Sequence, residues 1–246
     1  MSAPLVAPPG AGTFRAMRSR IGVLASGGGS NLQAILDHGD RLGDARAGDV
    51  ALVVANVATA GALERARGRG IPTAVLADHT DAAALQHSLD DAGVDLVVLA
   101  GYLKLVPAPV VARYAGRMLN VHPALLPAFG GPGMYGRRVH EAVLRSGARV
   151  SGVTVHFVDE AYDRGAIVAQ WPVPVLPGDD AAALAARVLR AEHALLPRVV
   201  EALAAGRVAL GPDGRAMLRS SAPALDFTLA TDAAALADGV DRLLGP

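Results

Sequence analysis

Short, continuously apolar segments alternate with amphipathic ones from residue 20 onwards, and this alternation restricts the fold more than any other feature of the sequence. The clearest apolar segment covers residues 95–100, where Leu96 to Ala100 are all hydrophobic. Strands that are apolar on both faces belong in a parallel sheet covered by helices on each side. The sequence therefore predicts an α/β, Rossmann-like fold, with a mostly parallel central sheet and helices on both faces.

The same patterns predict the order of the elements. Strands are expected at residues 21–25, 51–55, 72–76, 95–100, 117–121, 150–158 and 167–175. Helices are expected after Ser30, at 61–69, 81–91 and 138–145, and from Asp179 towards Ala205. Pro172 and Pro174 place the last strand at a sheet edge. Pro197 predicts a kink or restart in the last helix.

The chain of 246 residues is expected to hold one main domain at residues 20–210. Residues 1–19 combine proline, glycine and arginine without an apolar stretch, so we expect a disordered leader rather than a secretory signal. A transit peptide and a translation start at Met17 remain alternatives for this segment. Residues 211–246 are expected to form a C-terminal extension whose role the sequence does not predict.

Composition excludes several classes of function. The 23 basic and 23 acidic residues balance, and aromatic residues make up 4% of the chain, so a nucleic-acid partner is not expected. No apolar run approaches the roughly 20 residues that span a bilayer, so no membrane partner is expected either. The absence of cysteine excludes disulfides, thiolate nucleophiles and Cys-ligated metals, and it fits a reducing compartment such as the cytoplasm. We expect no metal site, because no tight histidine spacing occurs.

A glycine-rich loop follows the first predicted strand and precedes the first predicted helix. Three glycines at 27–29 lead into Ser30 and Asn31, where exposed N–H groups and the helix dipole would attract an anion such as phosphate. The loop lacks the lysine of a P-loop, and Leu32 replaces the third glycine of a dinucleotide fingerprint. Ser30 is expected to cap the helix and Asn31 to donate to a ligand. The alternative is a tight turn with a serine cap.

Polar side chains also gather where a later strand ends. Asn120 and His122 are two positions apart on an extended segment, so their side chains point to the same side. The carboxyl end of a strand in an open α/β sheet is where ligands bind. The alternative is that the pair only fixes a loop by hydrogen bonding. Downstream, His156 is interpreted as a core histidine of a strand, and Asp159 and Glu160 are equally consistent with solvated turn residues.

Five motifs in fixed order resemble the phosphoribosylglycinamide formyltransferases of purine biosynthesis over about residues 20 to 210. They are SGGGSNL at 26–32, LAGY at 99–102, LNVHPALLP at 119–127, VHFV at 155–158 and AEH at 191–193. The NxHPxLLP element with a later Asp-x-Gly is shared by methionyl-tRNA formyltransferases and formyltetrahydrofolate deformylases. The Gly-Ser-Asn loop favours the first family, and we expect neither the basic C-terminal domain nor the N-terminal regulatory domain of the others.

The resemblance implies a formyltransferase fold and a role for each matching residue. The catalytic residues would be Asn120, His122 and Asp163, with Asp163 raising the pKa of His122. Gly29, Ser30 and Asn31, in a phosphate-binding half at 20–100, would hold the phosphate of glycinamide ribonucleotide, and Glu192 its ribose. In the other half, at 101–210, the folate would contact Leu103, Lys104, Leu105, Val106, Asn120, Asp159 and Asp163. The co-substrate would be 10-formyltetrahydrofolate, with no metal.

Two alternatives remain open beside this resemblance. A formyltransferase acting on the amine of a sugar nucleotide would use the same Asn, His and Asp residues. A non-catalytic small-molecule binding module could also be built on the same scaffold. The sequence departs from the family in one respect: an arginine that often contacts the folate between the third strand and the next helix is missing from residues 78–89. The resemblance leaves a homodimer open.

Overall fold

The computed structural model describes residues 18–218, and a seven-stranded sheet forms its centre. The sheet has the order β3-β2-β1-β4-β5-β6-β7. The strands are β1 Ser19–Ala25, β2 Gly48–Ala55, β3 Thr73–Val75, β4 Leu96–Leu99, β5 Met118–His122, β6 Val150–Phe157 and β7 Ile167–Pro174. Strands β1 to β5 are parallel, whereas β6 pairs antiparallel with β5 and with β7. The predicted mostly parallel sheet is confirmed.

Among residues 18–218, six α-helices connect or flank these strands. They are α1 Ser30–Leu42, α2 Gly61–Gly68, α3 Ala82–Asp91, α4 Ala108–Arg113, α5 Arg137–Ser146 and α6 Ala181–Ala204, and a short 3₁₀ helix covers Gly43–Ala45. Side chains alternate along β1: Val23 belongs to an apolar cluster with residues of α1, α2, α5 and α6, whereas Leu24 belongs to a second cluster with residues of α3 and α4. Because successive residues of a strand point to opposite faces, each face acquires its own apolar core. The expected helices on both faces are confirmed.

The structure corrects the sequence analysis at a few elements. Helix α4 was not predicted, because it is only six residues long and includes Pro109, which the first turn of a helix tolerates. A hairpin of β8 Val208–Leu210 and β9 Ala216–Leu218 was also missed. The predicted restart at Pro197 is wrong: α6 continues through it, since buried neighbours such as Leu196 and Val199 hold the helix in the core. Strand β7 lies at the sheet edge as predicted.

The predicted terminal segments fall largely outside this description. Residues 1–17 of the expected leader and 219–246 of the expected extension lie outside the described residues, and β1 already begins at Ser19. Within residues 18–218, no helix is both long and apolar enough to cross a membrane. In the same part of the chain, no group of three or more His, Asp or Glu side chains is placed to hold a metal ion.

Candidate active site

A cavity of about 730 Å³ opens at the carboxyl ends of β1, β4 and β5. Strands β1 and β4 are neighbours, and the chain leaves β1 towards β2 but leaves β4 towards β5. The two connections therefore run in opposite directions along the sheet, and such a switch point is where open α/β sheets bind ligands. The cavity is lined by the end of β5, the loops after β4 and β6, the segment 131–137 and one side of α6. The topology therefore places the carboxyl ends of these strands around one large site.

The three residues predicted to be catalytic meet in this cavity. Strand β5 carries Asn120 and His122, and the imidazole Nδ1 of His122 lies 3.4 Å from the Asp163 carboxylate. The amide nitrogen of Asn120 lies 3.4 Å from the other oxygen of the same carboxylate. His122 is 3% exposed. Side chains 43 residues apart in sequence thus form one cluster, which is the grouping that the family resemblance implied.

Two loops, one at Phe129 and one at Asp163, surround this cluster, and each has an unusual backbone conformation. The Nε2 atom of His122 donates to the carbonyl oxygen of Phe129 at 2.9 Å, and the N–H of Gly131 donates to Asp163 at 2.9 Å. Phe129 and Asp163 have φ angles of 56° and 55°, in the left-handed region that residues with a side chain rarely adopt. Such strain costs about 1–3 kcal/mol and is typically found at functional sites.

For both His122 and Asp163, burial shifts the pKa in one direction and the groups that contact the side chain shift it in the other. Burial lowers the pKa of His122 below its usual value, although the Asp163 carboxylate and the Phe129 carbonyl act to raise it. The expectation that Asp163 raises this pKa is therefore right for the single contact and wrong for the net shift. Burial raises the pKa of Asp163, but the imidazoles of His156 and His122 and the N–H of Gly131 outweigh it, so the net shift is downward. Asp163 is therefore a carboxylate at neutral pH.

His156 is buried in β6, as the sequence predicted, but it also belongs to the cluster. Its Nδ1 donates to the carbonyl oxygen of Phe157 at 2.7 Å, and its Nε2 lies 3.1 Å from the amide nitrogen of Asn120. With the proton on Nδ1, Nε2 accepts from the amide and fixes its orientation. Sequence analysis missed this contact, because it depends on the antiparallel register that pairs Asn120 with His156.

The three carbonyl groups of glycines 27–29 all accept hydrogen bonds from other parts of the protein. The carbonyl of Gly27 accepts from the N–H of Ala62, that of Gly28 from the Arg65 side chain, and that of Gly29 from the N–H of Gln33. Within residues 18–218, no hydrogen bond occupies the N–H groups of residues 27–32. A row of free N–H groups at the start of a helix is suited to an anion.

Ser30 and Asn31, which follow the glycines, do not make the contacts that the sequence predicted. Helix α1 begins at Ser30, and Gly29 is its N-cap with φ of 75°, so the predicted serine cap is wrong. Asn31 is buried, and its amide nitrogen donates to the Glu192 carboxylate at 2.6 Å instead of being free for a ligand. Burial raises the pKa of Glu192 to about 7, against the effect of this hydrogen bond. Asn31 and Glu192 thus form a polar pair in the cavity wall.

The residues predicted to contact folate form another part of the cavity wall. Leu103, Lys104, Leu105 and Val106 line the cavity after β4, and Asp159 and Asp163 line it after β6. The N–H of Leu103 donates to the Ser26 hydroxyl at 2.9 Å, which ties this wall to the glycine-rich loop. Further lining residues were missed because they lie in an irregular loop and on helix faces, and these are Tyr102, Met134, Tyr135, Arg137, His140, Tyr162 and Leu189.

Gly29 is expected to be the least replaceable glycine of the loop. A Cβ at this position would lie 2.6 Å from the Cα of Ala62, on a backbone with positive φ. Gly29→Ala should therefore lower stability by at least about 1 kcal/mol, or at least about 2–4 °C in Tm. Thermal unfolding measures this directly. Gly28→Ala is the matched control, because its added methyl group meets no atom within 4 Å; equal Tm values for the two variants would contradict the packing described.

Comparison with known proteins assigns the chain to a class. Residues 19–200 match the family model described as formyl transferase, and the chain belongs to this family. The matched region contains β1 to β7 and most of α6, and therefore every element of the cavity.

Individual relatives and a solved structure show which members of this family the chain is similar to. The chain is 45% identical over 209 residues to a chloroplastic phosphoribosylglycinamide formyltransferase of Vigna unguiculata, with 82% of this chain and 66% of the relative covered. It is 45% identical over 210 residues to the protein of the same name in Arabidopsis thaliana, covering 82% and 71%. A crystal structure of glycinamide ribonucleotide transformylase 1 from Symbiobacterium toebii has 42% identity and a TM-score of 0.75, with 82% and 95% covered.

Proposed function

We propose that this chain transfers the formyl group of 10-formyltetrahydrofolate to the amine of 5-phosphoribosylglycinamide, giving formylglycinamide ribonucleotide in purine biosynthesis. The observation that carries the proposal is the meeting of Asn120, His122 and Asp163 in a cavity that Asn31, from the segment with free N–H groups, also lines. A site suited to acyl transfer thus lies next to N–H groups suited to a phosphate. The names of the relatives in Vigna unguiculata and Arabidopsis thaliana support the same reaction.

Transfer of a formyl group to an amine places negative charge on the formyl oxygen. One N–H of the Asn120 amide is held by His156, whereas the other faces Asp163 at 3.4 Å, too far for a strong hydrogen bond. This second N–H is the donor for the developing oxyanion. A donor of this kind, fixed in place before the reaction, contributes about 3 kcal/mol to transition-state stabilisation.

His122 supplies positive charge beside that oxygen. Its two ring nitrogens face two acceptors, the Phe129 carbonyl and the Asp163 carboxylate. A neutral imidazole carries one N–H and satisfies one acceptor only, whereas an imidazolium satisfies both. These two acceptors favour the protonated ring, but burial outweighs them and lowers the net pKa, so His122 supplies this charge only in its protonated form.

Asp163 acts on the proton of the attacking amine. The lowered pKa of this residue keeps it ionised at neutral pH, so it can accept a proton directly or through water. The proton passes on to the folate nitrogen when the carbon–nitrogen bond to the formyl group breaks. No enzyme nucleophile is required, and the reaction leaves the protein groups unchanged.

The two substrates take opposite ends of the cavity in this proposal. The phosphate binds the N–H groups around Gly29, Ser30 and Asn31, and the ribose contacts Glu192, whose pKa of about 7 lets its carboxyl group donate or accept at neutral pH. The folate ring system packs against Leu103 to Val106, where Leu103 and Leu105 are exposed apolar side chains. Exposed apolar side chains at a cavity are typical of a ligand-binding surface.

A formyl-transfer assay tests the proposal. Purified protein is expected to convert 10-formyltetrahydrofolate in the presence of 5-phosphoribosylglycinamide, and the His122→Ala variant is expected to lose most of this activity. A panel of substrates that includes a sugar nucleotide with a free amine distinguishes the proposed reaction from formylation of sugar nucleotides. Higher kcat/KM with the sugar nucleotide would overturn the proposed substrate, and ligand binding without turnover on any amine would indicate a binding module.

A further inference from the structure

Arg65 of α2 joins the glycine-rich loop to the first helix. Its Nε donates to the carbonyl oxygen of Gly28 at 2.8 Å, and its Nη1 donates to the side-chain oxygen of Gln33 at 3.1 Å. Gln33 lies on the first turn of α1. One guanidinium group therefore contacts both Gly28 and Gln33, which lie 37 and 32 residues before Arg65 in the sequence.

The bond to Gly28 differs from those of the flanking carbonyls. Gly27 and Gly29 are held by backbone N–H groups of Ala62 and Gln33, which any sequence would supply. The carbonyl of Gly28 is held by a side chain alone. The peptide that follows it joins two glycines, whose backbones rotate more freely than those of other residues.

Fixing this carbonyl also fixes an N–H group. A trans peptide is planar, so its C=O and N–H point in opposite directions. When Arg65 holds the Gly28 carbonyl on the α2 side, the N–H of Gly29 points to the other side, in line with the free N–H groups at the start of α1. Without Arg65, this peptide could rotate and present a carbonyl oxygen to an anion.

We propose that Arg65 is a positioning residue for the phosphate of the substrate, acting through the Gly28–Gly29 peptide. The inference rests on the proposed function for the identity of the substrate. Arg65 has no place in the formyl-transfer step itself, since it contacts only the loop and α1 among the described residues. Its removal should therefore affect binding of the phosphorylated substrate and spare the chemistry.

Steady-state kinetics of Arg65→Met tests this role. The KM for 5-phosphoribosylglycinamide is expected to rise about tenfold, whereas kcat and the KM for 10-formyltetrahydrofolate should stay within about twofold. Arg67→Met is the matched control, because Arg67 is exposed on the same helix and makes no side-chain hydrogen bond to the loop in the part of the chain described. An unchanged KM in Arg65→Met, or an equal rise in Arg67→Met, would overturn the proposal.

Two more variants separate positioning from charge and from folding. Arg65→Lys keeps the positive charge but lacks the planar fork that reaches two acceptors, so it should recover binding only in part. Full recovery would show that charge alone matters and would overturn the positioning role. Gln33→Met removes the second anchor of Arg65 and should raise the same KM by a smaller factor. An unchanged Tm in Arg65→Met is expected, and a KM rise explained entirely by unfolding would overturn the inference.

Direct binding of ribose 5-phosphate, measured by calorimetry, separates this inference from the proposed function. The wild-type chain is expected to bind this sugar phosphate, and Arg65→Met to bind it about tenfold more weakly. A wild-type chain that binds ribose 5-phosphate but transfers no formyl group would overturn the proposed function and leave the role of Arg65 supported. Equal affinities of wild type and Arg65→Met would overturn the role of Arg65 even if transfer is observed.

Discussion

Asp163→Asn is expected to lower kcat about a thousandfold while leaving the KM for 5-phosphoribosylglycinamide nearly unchanged. The substitution removes the negative charge that faces His122 and Asn120 and the group that accepts the proton of the amine. The asparagine oxygen can still accept from the N–H of Gly131, so the loop keeps its hydrogen bond. Steady-state kinetics with both substrates varied gives kcat and each KM separately.

The surface pair His87 and Asp91 provides a matched control for this variant. These residues also form a histidine–carboxylate contact, at 3.1 Å, but both side chains are exposed on α3. Asp91→Asn should leave kcat unchanged. If Asp163→Asn weakened binding of the ribonucleotide as much as it slowed turnover, the proposed role in proton transfer would be wrong.

Asn120→Ala should lower kcat by about 10²–10³, or about 3 kcal/mol of transition-state stabilisation. The variant removes the N–H that we assign to the oxyanion, and it also frees His156 from its contact at 3.1 Å. The KM for 5-phosphoribosylglycinamide should change little, because the glycine-rich loop, which we propose as the phosphate site, is untouched. Single-turnover kinetics would measure the chemical step directly.

Asn120→Gln serves as the comparison for that variant. It retains the amide but moves it by one methylene, so the donor no longer lies where His156 and Asp163 hold it. Activity should remain far below wild type, because an oxyanion donor acts only from a fixed position. A kcat within about fivefold of wild type for Asn120→Ala would show that another group stabilises the oxyanion.

The sheet could be predicted from sequence because its strands are apolar on both faces. Residues 96–100 and 51–55 have no polar side to confuse their assignment, and 51–55 is followed by helical spacing at 61–69. The missed elements lacked such signals. Helix α4 has six residues and a proline in its first turn, and β8 and β9 have three residues each, so none of them is long enough to repeat its period twice.

The site could be predicted in part for a related reason. Asn120 and His122 follow from strand alternation and Asp163 from the resemblance, and the structure brings all three together. The contact of His156 with Asn120 could not be predicted, because it depends on strand register. The assignment of Ser30 as a cap failed, because Gly29 takes the left-handed conformation as the N-cap and the helix starts one residue earlier than the sequence suggested.

The short segment 129–131 suggests a route to inhibitors that resemble neither substrate. It supplies the Phe129 carbonyl to His122 and the Gly131 N–H to Asp163. A compound that wedges this segment away from the sheet would remove one hydrogen-bond partner from each residue at once. Its potency would depend on displacing strained backbone, which already costs about 1–3 kcal/mol to hold, and not on competing with a nucleotide for its phosphate contacts.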